Sequence, residues 1–362
     1  MQKKILFLYK TPRKQVYRLW KLGKGPDTIL YGANHLEKLG YNVKFFDFAF
    51  SKRNPLIWLF YPIHLMVAKT TGIGFKIDQA ISLLTVIYRS DVIVSTIDTA
   101  GLPFLWLKKL GLLKKPLIYI SIDFAFRIKS NDNWIFNWYK GLLKYADTII
   151  CYDEAEKKIL KKFNKNVYFF NVGIDRHYFA DSKLKTINKN KKKIILAFGR
   201  DRDRDYQTFV SAVSELKVKG EIVCSKENVT DIKLPSNINV FFDLPYHLLK
   251  KKIYASDIIV IPVKNVKRPG GHLSMLDSMF SKRPVVISGN KWTSSAYNFK
   301  NNEECLYFEP ENKEDLKNKI NLLMNNPKLS KKLAINAYKK AKIYSTRNFA
   351  LKLANIIEKL VN

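Results

Sequence analysis

Cysteine is scarce: Cys151, Cys224 and Cys305 are the three in 362 residues. They are far apart, odd in number and set among apolar neighbours, which argues against a disulfide framework and suits reduced core thiols in a cytoplasmic protein. No metal-ligand spacing exists among them. Long hydrophobic runs are lacking as well. The most apolar window, PLIWLFYPIHLMVA from Pro55 to Ala68, is 14 residues with two prolines and a histidine, where a membrane span needs about 20. The opening MQKKILFLYK has no apolar stretch long enough for a signal peptide and reads as a first strand. Negative charge is the other deficit, with 31 Asp+Glu against 64 Lys+Arg and a net charge of +33.

That excess invites anionic partners: nucleic acid, an anionic membrane face or phosphate-bearing substrates. It is spread evenly, since residues 1–180 carry 29 Lys+Arg against 13 Asp+Glu and residues 181–362 carry 35 against 18. Neither half is a basic tail. Runs such as Lys157-Lys158 and Lys250 to Lys252 are also spaced as solvated helix faces, so part of the charge reads as plain lysine richness. A nucleic-acid reader needs a basic stripe with exposed aromatics or a reading helix, and no such module is present, so no nucleic acid is expected. Trp58, Phe60 and Tyr61 beside Lys52, Arg53 and Lys69 fit peripheral contact with an anionic membrane, or else a core-covering helix.

Strand and helix patterns alternate along the chain. Ile5 to Tyr9 is a short apolar run, followed by a loop rich in Lys, Arg and Gly, a helical pattern from Thr28 to Leu39 and a strand from Val43 to Phe48. The loop places Gly23 and Gly25 at the carboxyl end of strand one, the edge where open α/β sheets bind ligands, but it is not a G-x-G-x-x-G fingerprint. Strands follow at Asp91 to Ser95, Leu117 to Ser121, Thr148 to Cys151 and Val167 to Phe170. Asp98 and Asp123 fall at strand ends, where each could meet an acceptor or cap the next helix. Residues 181–193, DSKLKTINKNKKK, read as a linker. A second set of βα units starts at Ile194, ends its first strand in GRDRDRDY, and closes with helices at Lys313 to Met324 and about Leu329 to Leu360. The expectation is α/β: two doubly wound Rossmann-like domains, residues 1–180 and 194–340, facing across a cleft, with a C-terminal helix over 341–362 packing back toward the first.

One stretch stands out, KRPGGHLSMLDSMFSKRPVVIS from Lys267 to Ser288. Leu273, Leu276, Met279 and Phe280 mark a helix directly after Gly270-Gly271, and Pro284 to Ile287 a strand. Glycines leave the N–H groups of the first turn open to approach, where the helix dipole is positive, so the sequence builds either an anion site or a simple turn.

The motifs in order resemble the GT-B glycosyltransferases, in particular family 4 of retaining nucleotide-sugar enzymes, over nearly the whole chain. YADTIICYDEAEKKILKKF with VYFFNVGIDRHYF is similar to the stretch ending in the family's asparagine-glycine-valine-aspartate turn, with Asn171, Gly173, Ile174 and Asp175 in order. AFGRDRDRDYQTFVSAV resembles its glycine-arginine strand end, including the subgroup with Asp205-Tyr206. YASDIIVIP and LSMLDSMFSKRPVVIS resemble its donor-side strand and helix. The resemblance implies a donor site of Gly199, Arg200, Tyr206, Gly270, Gly271, His272, Leu273 and Ser274, with Arg200 on the diphosphate and Asp277 on ribose hydroxyls. Arg200 could instead form a surface ion pair with Asp201 or Asp203. Pro269 stands where the family carries the first of two glutamates, which leaves the donor sugar to His272 or backbone and puts retention in question. Asp98, Asp123 and His272 are the catalytic candidates, with Gly23 and Gly25 on the acceptor side.

Asp201, Asp203 and Asp205 also spell Asp-x-Asp, but the interleaved Arg200, Arg202 and Arg204 oppose a divalent cation, so no metal or other cofactor is expected. The implied activity is transfer of a sugar from a nucleotide-diphosphate-sugar donor to a saccharide or lipid-linked acceptor at the inner membrane face. The alternatives are an epimerase or binding-only protein of this fold and, further off, a nucleic-acid binder.

Overall fold

The computed structural model describes residues 2–47, 56–180, 192–266, 270–289 and 297–362. The chain divides into two compact units. The first comprises residues 1–21, 27–171 and 346–362, the second residues 22–26 and 172–345. The linker expected over 181–193 falls mostly outside the described residues, as do Phe48 and Lys267, Arg268 and Pro269.

In the first unit six strands, β1 (Lys4–Tyr9), β2 (Asn42–Asp47), β3 (Val92–Ser95), β4 (Leu117–Ile120), β5 (Thr148–Cys151) and β6 (Val167–Phe169), form one sheet in the order β2-β1-β3-β4-β5-β6. Every described pairing is parallel, with Phe7 opposite Phe45 on one side and Val94 on the other. The strands are continuous apolar runs because both faces are covered. Leu6, Leu8, Ile93 and Tyr119 point into one core, and Ile5, Phe7, Val94 and Ile118 into the other. The helix Thr346–Val361 belongs to this unit: Phe349, Leu353 and Ile357 fill the second core, Tyr41 Oη donates to Glu358 Oε1 at 2.6 Å, and Lys3 pairs with Glu358.

The second unit repeats the plan with β7 (Ile194–Phe198), β8 (Lys219–Cys224), β9 (Ile238–Phe242), β10 (Ile258–Ile261), β11 (Val285–Ser288) and β12 (Leu306–Phe308), ordered β12-β11-β10-β7-β8-β9 and again parallel. Chain order reverses between β7 and β10, and in the first unit between β1 and β3. These are the switch points at which open α/β sheets leave a crevice beyond the strand ends.

Four expected elements differ. The loop after β1 contains a helix, Lys14–Lys21, so Gly23 does not follow the strand directly. The pattern from Thr28 to Leu39 is a short 3-10 turn, Thr28–Leu30, then Ala33–Lys38, because Tyr31 and Gly32 both take positive φ. The helix expected to reach Tyr145 is two, Phe124–Ser130 and Trp134–Leu142, with a last 3-10 turn. The long C-terminal helix is also two, Pro327–Ala341 and Thr346–Val361, broken where Ile174 pairs with Ser345.

Candidate functional site

The loops after β7 and β10 meet at the second unit's switch point. Arg204 bridges to Val263, Lys264 N–H donates to the Asp203 carbonyl at 2.9 Å, and Asp205 N–H to the Pro262 carbonyl at 3.1 Å. Beyond β10 the chain returns through Gly270 and Gly271 into the helix His272–Phe280, which leads to β11 and so starts at the carboxyl edge of the sheet. Gly271 is its N-cap at φ +75°, and no side chain caps it. The first turn, His272 to Ser274, is therefore the positive end of a nine-residue helix.

Arg204 sits directly behind this terminus. It is 5% exposed, and its Nη2 donates to Ser274 Oγ at 2.7 Å. Nε and Nη1 are buried and find no hydrogen-bond partner among the described residues. Burial pushes its pKa down, opposed by Tyr206 and Asp201. The space it occupies exists because of two glycines: a Cβ at Gly199, φ +143°, would lie 2.4 Å from Nε, and one at Gly271 would lie 3.3 Å from Nη1 and 2.9 Å from Ile261 Cγ2. A buried cation with two unpartnered donor nitrogens beside a helix N-terminus is an arrangement that suits an anion. Phosphate oxygens suit both donors.

Arg200, expected to be the diphosphate ligand, lies on the exposed rim. Its Nε is 3.2 Å from Asp243 Oδ1, so its ion-pair partner is Asp243 rather than Asp201 or Asp203, and its Nη2 reaches the Leu244 carbonyl at 3.5 Å. Tyr206 does not line the site: it is 1% exposed and its hydroxyl donates to the Gly199 carbonyl at 2.7 Å, closing the turn from inside. His272 is half-buried, edge-on to Tyr297 at 5.4 Å. Gly270 is buried near Val263, and Leu273 half-buried on the first turn. Asp277 is enclosed deeper on the same helix, 4% exposed. Burial, then the charge of Asp175, raises its pKa to about 8.

The Asp-x-Asp carboxylates diverge. Asp201 Oδ1 accepts from Asp203 N–H at 3.0 Å, and Asp205 Oδ1 caps the helix Tyr206–Ser214 through Thr208 N–H at 3.1 Å. Among the described residues no group of three or more His, Cys, Asp or Glu is placed to hold a metal ion.

At the carboxyl edge of the first unit's sheet, Asp98 lies in the first turn of the helix Asp98–Lys109 and accepts a hydrogen bond from the Tyr119 hydroxyl. Burial raises its pKa to about 7, with the charge of Asp123 adding to the rise and Tyr119, the Ile122 N–H and Arg127 opposing it. Asp123 occupies the N-cap of Phe124–Ser130 at φ +60° without a side-chain cap bond. Glu156, which sequence reasoning passed over as part of a surface helix, is buried against this pair. Its Oε1 accepts from Ser121 Oγ at 2.6 Å, and burial raises its pKa to about 8. Gly23 is exposed at φ +67°, Gly25 is buried, and both fall in residues 22–26, which group with the second unit.

Residues 180–340 match the family model "Glycosyl transferases group 1". No curated protein sequence matches the chain significantly. Among solved structures, a glycosyltransferase from Rickettsia africae is 17% identical with a TM-score of 0.69, over 100% of this chain and 99% of that one. Sucrose-phosphate synthase from Thermosynechococcus elongatus is 14% identical with a TM-score of 0.71, over 99% of each chain. Anabaena HepE in complex with UDP-glucose is 13% identical with a TM-score of 0.70, over 99% of this chain and 100% of that one. Two six-stranded parallel sheets flanked by helices are common ground with these folds. The group 1 match falls on the unit that carries Arg204 and the helix His272–Phe280, so residues 180–340 are similar to group 1 glycosyltransferases, and the chain as a whole has the GT-B fold of these structures.

Proposed function

We propose that this enzyme transfers a sugar from a nucleotide-diphosphate-sugar to a saccharide or lipid-linked acceptor, and that the diphosphate is held in the second unit by Arg204, Arg200 and the N-terminus of the helix His272–Phe280. The observation that carries this reading is the buried Arg204 guanidinium, with Nε and Nη1 unpartnered among the described residues beside an uncapped helix. As the glycosidic bond to the diphosphate breaks, negative charge develops on the leaving oxygens. Fixed guanidinium and backbone donors already in place stabilise that charge, and they serve where other transferases use a divalent cation. Asp277 is the candidate for the ribose hydroxyls, and His272, on the first turn, for the donor sugar.

On the acceptor side, Asp98 is suited to orient a hydroxyl and take its proton, since its pKa of about 7 keeps it able to exchange one near neutral pH. Asp123, in the same acidic group, is the second candidate. Retention of configuration is the reading favoured by the family resemblance. Peripheral contact with an anionic membrane is part of the proposal, supported by Trp58, 75% exposed on the helix Leu56–Thr71, and by the basic charge around it. No described helix is long and apolar enough to cross a membrane.

Release of UDP from UDP-sugars tests the donor half, UDP-glucose being the ligand seen on HepE. Turnover that falls at least ten-fold in Arg204→Gln supports it. Turnover unchanged by that substitution removes the proposed site.

A further inference from the structure

The first unit contains a cavity that its catalytic candidates do not use. It has a volume of about 330 Å³ and is walled by Phe60, Ile63, Val67, Trp106, Ile135 and Trp138, with Trp134 at its mouth. Its floor is core, since Val67 and Ile135 are buried, but its rim is open: Trp134 is 69% exposed, and Leu59, Ile63 and Met66 are exposed on the same helix as Phe60 and Val67. An apolar cavity that opens through exposed aromatic and aliphatic side chains suits an apolar occupant.

The surroundings specify the rest of the occupant. Residues 56–90 and 124–145, which carry most of the walls, hold seven Lys and Arg against two Asp. One of the two, Asp78, is buried, and the other, Asp132, is paired with Lys140 at 3.0 Å. Arg127 stands between the apolar wall and the acidic edge. Its Nη1 is 3.5 Å from the carbonyl of Thr71, the last residue of the helix that bears Phe60 and Val67, and its charge acts on Asp98. The helix Asp98–Lys109 joins the same two places, with Asp98 in its first turn and Trp106 on the cavity wall. Trp106 is eight positions on from Asp98, about 12 Å of rise. The segment between the two helices is fixed, since Phe75 N–H donates to His64 Nδ1 at 3.1 Å and a Cβ on Gly74 would meet both His64 and Thr99.

We propose that this cavity takes the hydrocarbon chain of a lipid-linked acceptor whose phosphate lies at Arg127, so that the group to be glycosylated projects toward Asp98 and Asp123. This rests on the reading that the first unit receives the acceptor, and it names that acceptor as an anionic amphiphile rather than a free saccharide.

The test uses the full chain and dodecyl phosphate below its critical micelle concentration, followed by titration calorimetry and by tryptophan fluorescence, since three of the six tryptophans line the cavity. The proposal expects saturable binding, at least 100-fold tighter than inorganic phosphate and at least ten-fold tighter than dodecanol. Val67→Phe, which fills the cavity, and Ile63→Gln, at the exposed rim and safe for folding, should each weaken it at least five-fold. Arg127→Gln should bring dodecyl phosphate down to the level of dodecanol. Binding that survives both Val67→Phe and Ile63→Gln, or equal binding of dodecanol, would overturn it. UDP stabilisation is measured alongside. Dodecyl phosphate binding without a UDP effect would sink the donor reading and leave the cavity assignment standing, whereas a UDP effect without dodecyl phosphate binding would do the reverse.

Discussion

Arg204 Nη2 donates to Ser274 Oγ at 2.7 Å, tying the loop after β7 to the first turn of the helix after β10. The bond fixes one corner of the guanidinium, while Nε and Nη1 have no hydrogen-bond partner among the described residues. Gly271 makes room for it. Alanine there must hold φ near +75° and press on Ile261 and Arg204. Left-handed backbone costs a side-chain-bearing residue about 1–2 kcal/mol, so Gly271→Ala should lower the melting temperature and weaken UDP binding together. A melt unchanged from wild type would show that the turn is not strained as described.

Arg200 and Asp243 form an exposed pair at 3.2 Å. Such pairs contribute about 0–1 kcal/mol. Arg200→Ala should therefore leave the melting temperature within a degree or two while weakening UDP binding several-fold. Asp243→Asn releases Arg200 and should leave that affinity unchanged or improve it. Equal losses in both variants, measured by calorimetry, would mean that the pair acts as structure.

Tyr206 behaves as a structural residue on this account. Removing its hydroxyl in Tyr206→Phe leaves the Gly199 carbonyl without its 2.7 Å donor, a loss of about 1 kcal/mol. Denaturant melts should show that loss, with UDP affinity changed less than three-fold. A ten-fold affinity loss at constant stability would return Tyr206 to the donor site.

Asp277 makes stability depend on pH. Its pKa is about 8 in the folded protein, against about 3.9 in an unfolded chain. Between these values the folded state holds a proton that the unfolded state has released, so stability falls as pH rises from about 4 to about 8. Asp277→Asn removes this slope. The variant should melt close to wild type at pH 4 and progressively higher than wild type up to pH 8. It should also bind UDP more weakly if the carboxylate reads ribose. Parallel stability profiles in the two proteins would contradict the burial argument.

Much of this fold was legible because buried parallel strands are apolar on both faces: Ile194–Phe198, Ile258–Ile261 and Val285–Ser288 can be read as runs from sequence alone. The start of the helix His272–Phe280 was legible in Gly270-Gly271 before an amphipathic run. The choice among arginines was not. Arg200, Arg202 and Arg204 alternate identically with aspartates, and only the pairing of Arg204 with Val263 turns one of them under two glycines. Glu156 was missed for a similar reason. On a lysine-rich helix it reads as solvated, and its burial follows from β4 delivering Ser121 to it. Helix breaks at Tyr31–Gly32 and before Thr346 also depend on contacts far apart in sequence, which local periodicity does not carry.

The most direct measurement of the central claim is calorimetric binding of UDP and of uridine to wild type and to Arg204→Gln. The account predicts UDP binding at least ten-fold tighter than uridine in wild type. In Arg204→Gln, UDP affinity should fall about 10- to 150-fold, the loss of one charged hydrogen-bonding group at about 1.5–3 kcal/mol, with uridine unchanged. Equal affinity for UDP and uridine, or undiminished UDP binding in Arg204→Gln, would contradict it.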